Sequence, residues 1–290
     1  MAGHSKQRIE ELLDEAGLTP RRRLGQNFLI DLNLMRLLVD HAELSTDDTV
    51  LEVGVGTGSL TTMLAEHAGR VVAVEIDQQI AAIAAHEIEG LSNVRLLVQD
   101  VLAGKHHVAP EVLAELKAAA GPQGRFKLVA NLPYQVSAPL MINLLLVEPT
   151  CQAMDVTVQA EVADRMTAQP GTGQYGTLSI FLQATGEVHQ YRRVPPPAFW
   201  PMPNVHSAMI AWRRDDARIA RIVDLNMLQR VVEMLLRHRR KTIRSSLQLT
   251  HINGDPTGLL AAAGIDPGRR GETLPPEKFV ELANLLAAAQ

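Results

Sequence analysis

The sequence has a single cysteine, Cys151, among its 290 residues. An intramolecular disulfide framework is excluded, and a reducing, cytoplasmic setting is expected. No apolar run is long enough to span a bilayer, so no membrane role is expected. Met1 to Glu15 is polar and mixed in charge, without the apolar core of a secretion signal. A general excess of positive charge is also missing. The formal net charge is −4, which taken alone argues against a nucleic-acid partner. Metal ligands are lacking too: His106 and His107 are adjacent, but nothing stands at ligand spacing from them. A solvated loop and no metal are expected there.

What is present is a core and a lopsided charge distribution. The chain is 46% hydrophobic and of 31.7 kDa, enough for one large or two modest domains. Between Arg213 and Arg244 ten Lys/Arg stand against four acids. Arg237, Arg239, Arg240, Lys241 and Arg244 are its densest part and are candidate phosphate contacts. Arg21, Arg22 and Arg23 form a second basic spot, just after a predicted helix from Ser5 to Ala16 that stops at Gly17. A solvated helix start is the blander reading of those three arginines.

The most informative stretch is Phe126 to Tyr134. It begins as an apolar run, the mark of a strand buried on both faces, and ends in Asn131-Leu132-Pro133-Tyr134. Pro133 has no N–H and biases Leu132 toward an extended conformation, so the strand stops in a rigid corner. Open α/β sheets bind ligands at the carboxyl ends of their strands. The Asn131 amide oxygen and the Leu132 carbonyl can each accept from an exocyclic amine, and Tyr134 can lie flat on a base.

Thr49 to Thr61 reads as strand, glycine loop and helix, with Gly54, Gly56 and Gly58 letting backbone approach a ligand. A second strand, Val71 to Ile76, carries Glu75, which stands 21 residues after Gly54. That is near the spacing at which an acid meets ribose hydroxyls in dinucleotide folds. The glycine spacing is not that of a dinucleotide site, and the loop has no lysine for phosphates. A nucleoside ligand without phosphate suits it better, S-adenosyl-L-methionine being the common one. A third strand, Val94 to Gln99, ends at Asp100, which could accept from an adenine amino group or cap a helix.

Further along, Ala103 to Gly124 reads as an insertion with a short helical stretch. Ala138 to Val147 reads as a helix, Met154 to Ala160 as a strand and Glu161 to Ala168 as a helix. Leu178 to Val188 reads as a long strand. A proline-rich loop from Val194 to Ser207 excludes a helix or a central strand and holds Phe199 and Trp200 rigidly. Ala208 to Trp212 reads as a last strand. Beyond Asp215 the pattern is helical.

Several motifs, in order, resemble the ribosomal RNA adenine N6-dimethyltransferase family (KsgA type). They are Leu24-Gly25-Gln26-Asn27-Phe28-Leu29, the Glu52 to Thr61 loop, Asn131 to Tyr134, and Tyr175-Gly176-Thr177-Leu178-Ser179. Phe199-x-Pro201-x-Pro203-x-Val205-x-Ser207-Ala208, Arg239 to Leu247 and Gly264 to Pro267 complete the set. The resemblance implies an α/β fold: a Rossmann-like seven-stranded class I methyltransferase sheet with a small C-terminal all-α domain. It implies S-adenosyl-L-methionine held by Asn27, Leu29, Gly54, Gly56, Glu75, Asp100 and Asn131, leaving S-adenosyl-L-homocysteine. It implies catalysis at Asn131, Leu132, Pro133 and Tyr134, with Phe199 as a second base-stacking ring. The substrate implied is two adjacent adenines near the 3′ end of small-subunit rRNA, in the immature 30S subunit. A monomer is expected. The expected domains are an N-terminal helical extension (1–20), a methyltransferase domain (21–214) and an RNA-binding helical domain (215–290). Val55, where the family usually has proline, and the Ala103 to Gly124 insertion, longer than the family leads one to expect, depart from the pattern, and the Ser5 to Ala16 helix lies outside what the resemblance explains. A DNA adenine methyltransferase and a non-catalytic ribosome-assembly factor are the competing readings.

Overall fold

The computed structural model describes residues 5–21, 25–249 and 256–288. Arg22 and Arg23 lie outside the described residues. The first elements are α1 (Lys6–Glu15), β1 (Phe28–Leu29), α2 (Leu32–His41), β2 (Thr49–Val53), α3 (Ser59–His67), β3 (Arg70–Glu75), α4 (Gln78–Glu87), β4 (Val94–Val98), α5 (Pro110–Ala120), β5 (Arg125–Asn131), α6 (Ser137–Leu144) and β6 (Thr150–Gln159). There follow α7 (Ala160–Thr167), α8 (Thr177–Thr185), β7 (Gly186–Val194), β8 (Phe199–Trp200) and β9 (Ser207–Arg214), then five helices: α9 (Asp216–Ile219), α10 (Leu225–Leu236), α11 (Ile243–Gln248), α12 (Pro256–Ala262) and α13 (Pro276–Ala288).

Seven strands form one sheet in the order β4-β3-β2-β5-β6-β9-β7. The pairs β3/β4, β2/β3, β2/β5 and β5/β6 are parallel. The chain winds from β2 outward to β4 on one side and from β5 outward on the other. The switch point therefore lies between β2 and β5, where a crevice opens at the strand ends. β2 is buried at every position, as a strand covered by helices on both faces must be. Asp31 and Asp77 accept the first free N–H groups of α2 and α4, which fixes where each helix starts.

The chain divides into two compact units. The first comprises 1–163 and 189–212, and the second 164–188 and 213–290. The segment 164–188 thus groups with the C-terminal helices, whereas the sequence reading ran the methyltransferase domain unbroken to 214.

Two expectations are corrected. The predicted strand from Leu178 to Val188 is instead α8 followed by β7. Leu178, Ile180, Phe181 and Leu182 are all buried; a stretch that is apolar on both sides suits a buried helix as well as a buried strand. Ser179 Oγ accepts the Gly176 N–H at 3.1 Å and starts the helix. The stretch from Ala103 to Gly124 is not a free insertion either. Its helix α5 packs on β2 and β3 and is the crossover that a parallel β4-to-β5 connection requires.

Candidate active site

The cleft at the switch point lies wholly within the first unit and is lined by the ends of β2, β3, β4 and β5. Its floor is the glycine loop. Gly54 and Gly56 have φ of 83° and 58°, a region that strains other residues. Space is as restrictive as conformation. A Cβ on Gly54 would meet Pro133 Cγ at 2.9 Å, and one on Gly56 would meet the Phe28 ring at 3.0 Å. The loop is therefore pinned between the Pro133 corner and Phe28.

Glu75, at the end of β3, is 6% exposed. Its Oε2 accepts the Gly56 N–H at 3.1 Å and its Oε1 accepts the Asp77 N–H at 3.0 Å. Burial raises its pKa, and the Asp77 and Gly56 amides work against that rise. The acid thus ties the glycine loop to the start of α4. Asp100 also lines the cleft and is exposed; its Oδ1 accepts the Leu102 N–H at 2.9 Å.

β5 ends at Asn131, and the Leu132 N–H bonds to the Thr157 carbonyl at 3.1 Å. Asn131 Nδ2 donates to the Asn27 main-chain carbonyl at 3.2 Å. A carbonyl only accepts, so the contact assigns the amide nitrogen to Asn27 and leaves Oδ1 as an acceptor for the cleft. Tyr134 is held at both ends. Its hydroxyl pairs with Ser207 Oγ at 3.1 Å, and its carbonyl accepts from Ser137 Oγ at 3.1 Å.

Asn27 lines the cleft and its Nδ2 donates to the Gly25 carbonyl at 3.1 Å. Leu29 lines it too, while belonging to the buried core. Phe199 does not. It is 2% exposed, paired with Leu29 across the β1/β8 ribbon, and is absent from the cleft wall. The expected sandwich of Tyr134 and Phe199 is not formed; Phe199 packs behind the cleft as core. Phe28, stacked on Trp200 at 6.3 Å, is the ring that reaches the glycine loop.

Sequence reasoning missed Glu52. It is fully buried, lines the cleft, and neither carboxyl oxygen meets hydrogen-bond geometry with a partner. Burial pushes its pKa up to about 8; the nearby Thr61 hydroxyl opposes this and the Glu75 charge adds to it. Gln99 Nε2, also at the cleft, is another buried atom without a partner. The signal for Glu52 was in the sequence: a carboxylate inside an apolar strand is buried only for a reason. Among the described residues no cluster could hold a metal ion, and no helix is long and apolar enough to cross a membrane.

Two candidate phosphate contacts turn out to be engaged elsewhere. Arg21 Nη1 donates to Asp77 Oδ2 at 3.1 Å, so it braces the start of α4. Arg239 donates to Glu272 at 2.8 Å and to the carbonyls of Tyr175 and Gly173, all within the second unit. Arg237, Arg240, Lys241 and Arg244 are exposed.

A cleft with glycine floor, acid wall and amide corner at the switch point of this sheet is that of a Rossmann-like methyltransferase. Comparison with known proteins narrows the class. Residues 17–288 match the model of the ribosomal RNA adenine dimethylase family. Curated relatives called ribosomal RNA small subunit methyltransferase A are 38% identical in Bacillus mycoides (strain KBAB4) and 37% in Bacillus cereus (strain AH187). Each comparison covers 96% of this chain and 95% of the relative. The crystal structure of the 23S rRNA methyltransferase ErmE superposes with a TM-score of 0.60 at 25% identity, covering 90% of this chain and 100% of that one. A dimethyladenosine transferase from Plasmodium falciparum shares the fold, with a TM-score of 0.69 at 21% identity over 86% of this chain and 94% of that one. The chain belongs to the ribosomal RNA adenine dimethylase family, and it is an rRNA-methylating enzyme.

Proposed function

We propose that this chain transfers methyl groups from S-adenosyl-L-methionine to N6 of two adjacent adenines near the 3′ end of small-subunit rRNA, acting on the immature 30S subunit. The observation that carries the reading is the Asn131 amide, oriented by Asn27 so that its oxygen is offered to the cleft. Relatives at 37–38% identity over nearly the whole chain are small-subunit enzymes by name, which favours that substrate over the large subunit.

The cleft fits the cofactor on its own atoms. An unpartnered carboxyl (Glu52) and an unpartnered amide nitrogen (Gln99) match a ligand that bears an ammonium and a carboxylate. In this reading Glu75 serves the ribose hydroxyls and Asp100 an adenine amine, and Asn27, Leu29, Gly54 and Gly56 give close contact. When bound, the cofactor supplies an electrophilic methyl on sulfonium.

The chain's part is positioning. The N6 lone pair of adenine is delocalised into the ring. Asn131 Oδ1 and the Leu132 carbonyl accept its two N–H groups and draw the nitrogen toward tetrahedral geometry, aimed at the methyl. The same acceptors stabilise the positive charge that develops on nitrogen. Pro133 keeps the corner rigid, and Tyr134 stacks the base. The methylated nitrogen gives up one proton to solvent, a single N–H remains, and the base must shift for the second transfer. The target must be unstacked to reach the cleft, which favours single-stranded RNA. In the second unit Arg237, Arg240, Lys241 and Arg244 track phosphates. The protein works as a cytoplasmic monomer.

The test is incorporation of labelled methyl into small subunits assembled without prior methylation, with nuclease mapping. Dimethylated adenosines in adjacent positions near the 3′ end of the RNA are expected. Label in another RNA, or in no RNA, refutes the substrate assignment.

A further inference from the structure

The family match begins at residue 17, so α1 lies outside it, yet α1 reaches the cleft. Its apolar face, Ile9, Leu12 and Leu13, is buried in a cluster with Phe28, Ile80 and Ile83. Three of these side chains, Ile9, Phe28 and Ile80, line the cleft itself. Phe28 is the ring that lies against Gly56, so α1 backs the very contact that pins the glycine loop.

Two polar latches hold the segment in place. Arg8 Nη2 meets Glu87 Oε1 at 3.0 Å, joining α1 to the end of α4. At the other end of α4 the Arg21 guanidinium meets Asp77 Oδ2, and its main-chain N–H donates to Gln26 Oε1 at 2.7 Å. Gln26 Nε2 donates in turn to the same Asp77 oxygen at 2.9 Å. The Asp77 N–H donates to Glu75, and Glu75 accepts from Gly56. A continuous run of hydrogen bonds thus links the N-terminal segment to the floor of the cleft.

We propose that the segment from α1 to Arg21 is part of the cofactor site, with Ile9 as a positioning residue that walls the cleft and the Arg8–Glu87 and Arg21–Asp77 pairs as clamps that slow cofactor release. This rests on the reading of the cleft as the S-adenosyl-L-methionine site. An apolar wall excludes water from the bound nucleoside, and one face of α1 supplies it. The segment lends affinity for donor and product alike and leaves the transfer geometry at Asn131 to the far side of the cleft.

The test is calorimetric titration of S-adenosyl-L-methionine and S-adenosyl-L-homocysteine into the full chain, paired with steady-state kinetics. Ile9→Ala is expected to weaken both ligands about tenfold, as loss of apolar contact in a pocket does. Arg8→Glu is expected to weaken them about threefold, and the double variant Arg8→Glu/Glu87→Arg to recover. KM for the donor rises with the dissociation constant, while kcat at saturating donor and KM for RNA stay close to those of the unaltered chain. The exchanged pair is partly exposed, so it decides the matter even if Ile9→Ala fails to fold. Unaltered affinities in Arg8→Glu and in a folded Ile9→Ala, with only thermal stability lowered, would overturn the proposal and leave α1 a packing element. Failure of the unaltered chain to bind either ligand would overturn the cofactor reading itself, and this proposal with it.

Discussion

Asn131 Nδ2 donates to the main-chain carbonyl of Asn27 at 3.2 Å, across 104 positions of sequence. The two residues come from motifs that look independent in the sequence. Their contact makes the first motif the orienting partner of the second: the Asn27 carbonyl takes the amide nitrogen and leaves the amide oxygen as an acceptor for the cleft.

Tyr134 is expected to act through its ring more than its hydroxyl. Tyr134→Phe loses only the contact to Ser207 Oγ and keeps most of the activity. Tyr134→Ala loses the stacking surface, worth about 1–3 kcal/mol per base, and KM for RNA rises roughly 5- to 150-fold. Equal activity in Phe and Ala variants, measured by initial rates on unmethylated subunits, would remove Tyr134 from the base site.

Glu52 makes stability depend on pH. Its folded pKa, about 8, lies above the ordinary value of 4.5. Between those values the native state keeps a proton that the unfolded chain has released. Stability therefore falls as pH rises through that window, by up to ~1.4 kcal/mol per pH unit, and levels off above it. Glu75, also raised by burial, contributes in the same direction. Glu52→Gln is expected to flatten most of the decline in urea unfolding followed from about pH 5 to about pH 9, and to weaken donor binding. Identical pH slopes for the two proteins would show that Glu52 is not buried as a neutral acid.

Arg240, Lys241 and Arg244 are exposed, and so is Arg239, but the Arg239 guanidinium is engaged by Glu272 and two carbonyls. Changing the first three together to alanine is expected to weaken RNA binding and to lower the slope of log K against log salt by ~0.7 for each lost contact with single-stranded RNA. Arg239→Ala is expected to lower the unfolding temperature instead. A salt slope unchanged by the triple variant would contradict the assignment.

The sheet was legible because parallel strands buried on both faces leave short apolar runs closed by glycine, acid or proline, as in Thr49 to Gly54 and Phe126 to Pro133. The ligand corner at Asn131 followed from where that run stops, whereas the switch point between β2 and β5 needed the strand order. The run from Leu178 to Leu182 was misread because it is buried all round, and periodicity then loses its phase. The β1/β8 ribbon is too short to have a period; it exists because Phe28 and Leu29 find Trp200 and Phe199. The same pairing draws Phe199 into the core, which no local pattern announces. For Arg21 and Arg239 the charge was plain, but their partners Asp77 and Glu272 lie 56 and 33 positions away, and charge alone does not name a partner.

The measurement that bears most directly on the account is single-turnover methyl transfer to unmethylated small subunits by the unaltered chain and by Asn131→Ala, both saturated with donor. A rate at least about a hundredfold lower is expected in the variant, the scale of losing one preorganised hydrogen-bonding group at a reacting atom, with the unfolding temperature nearly unchanged. A folded, donor-saturated Asn131→Ala that transfers at close to the unaltered rate would contradict it, because the amide at the end of β5 would then not be the group that aims the amine.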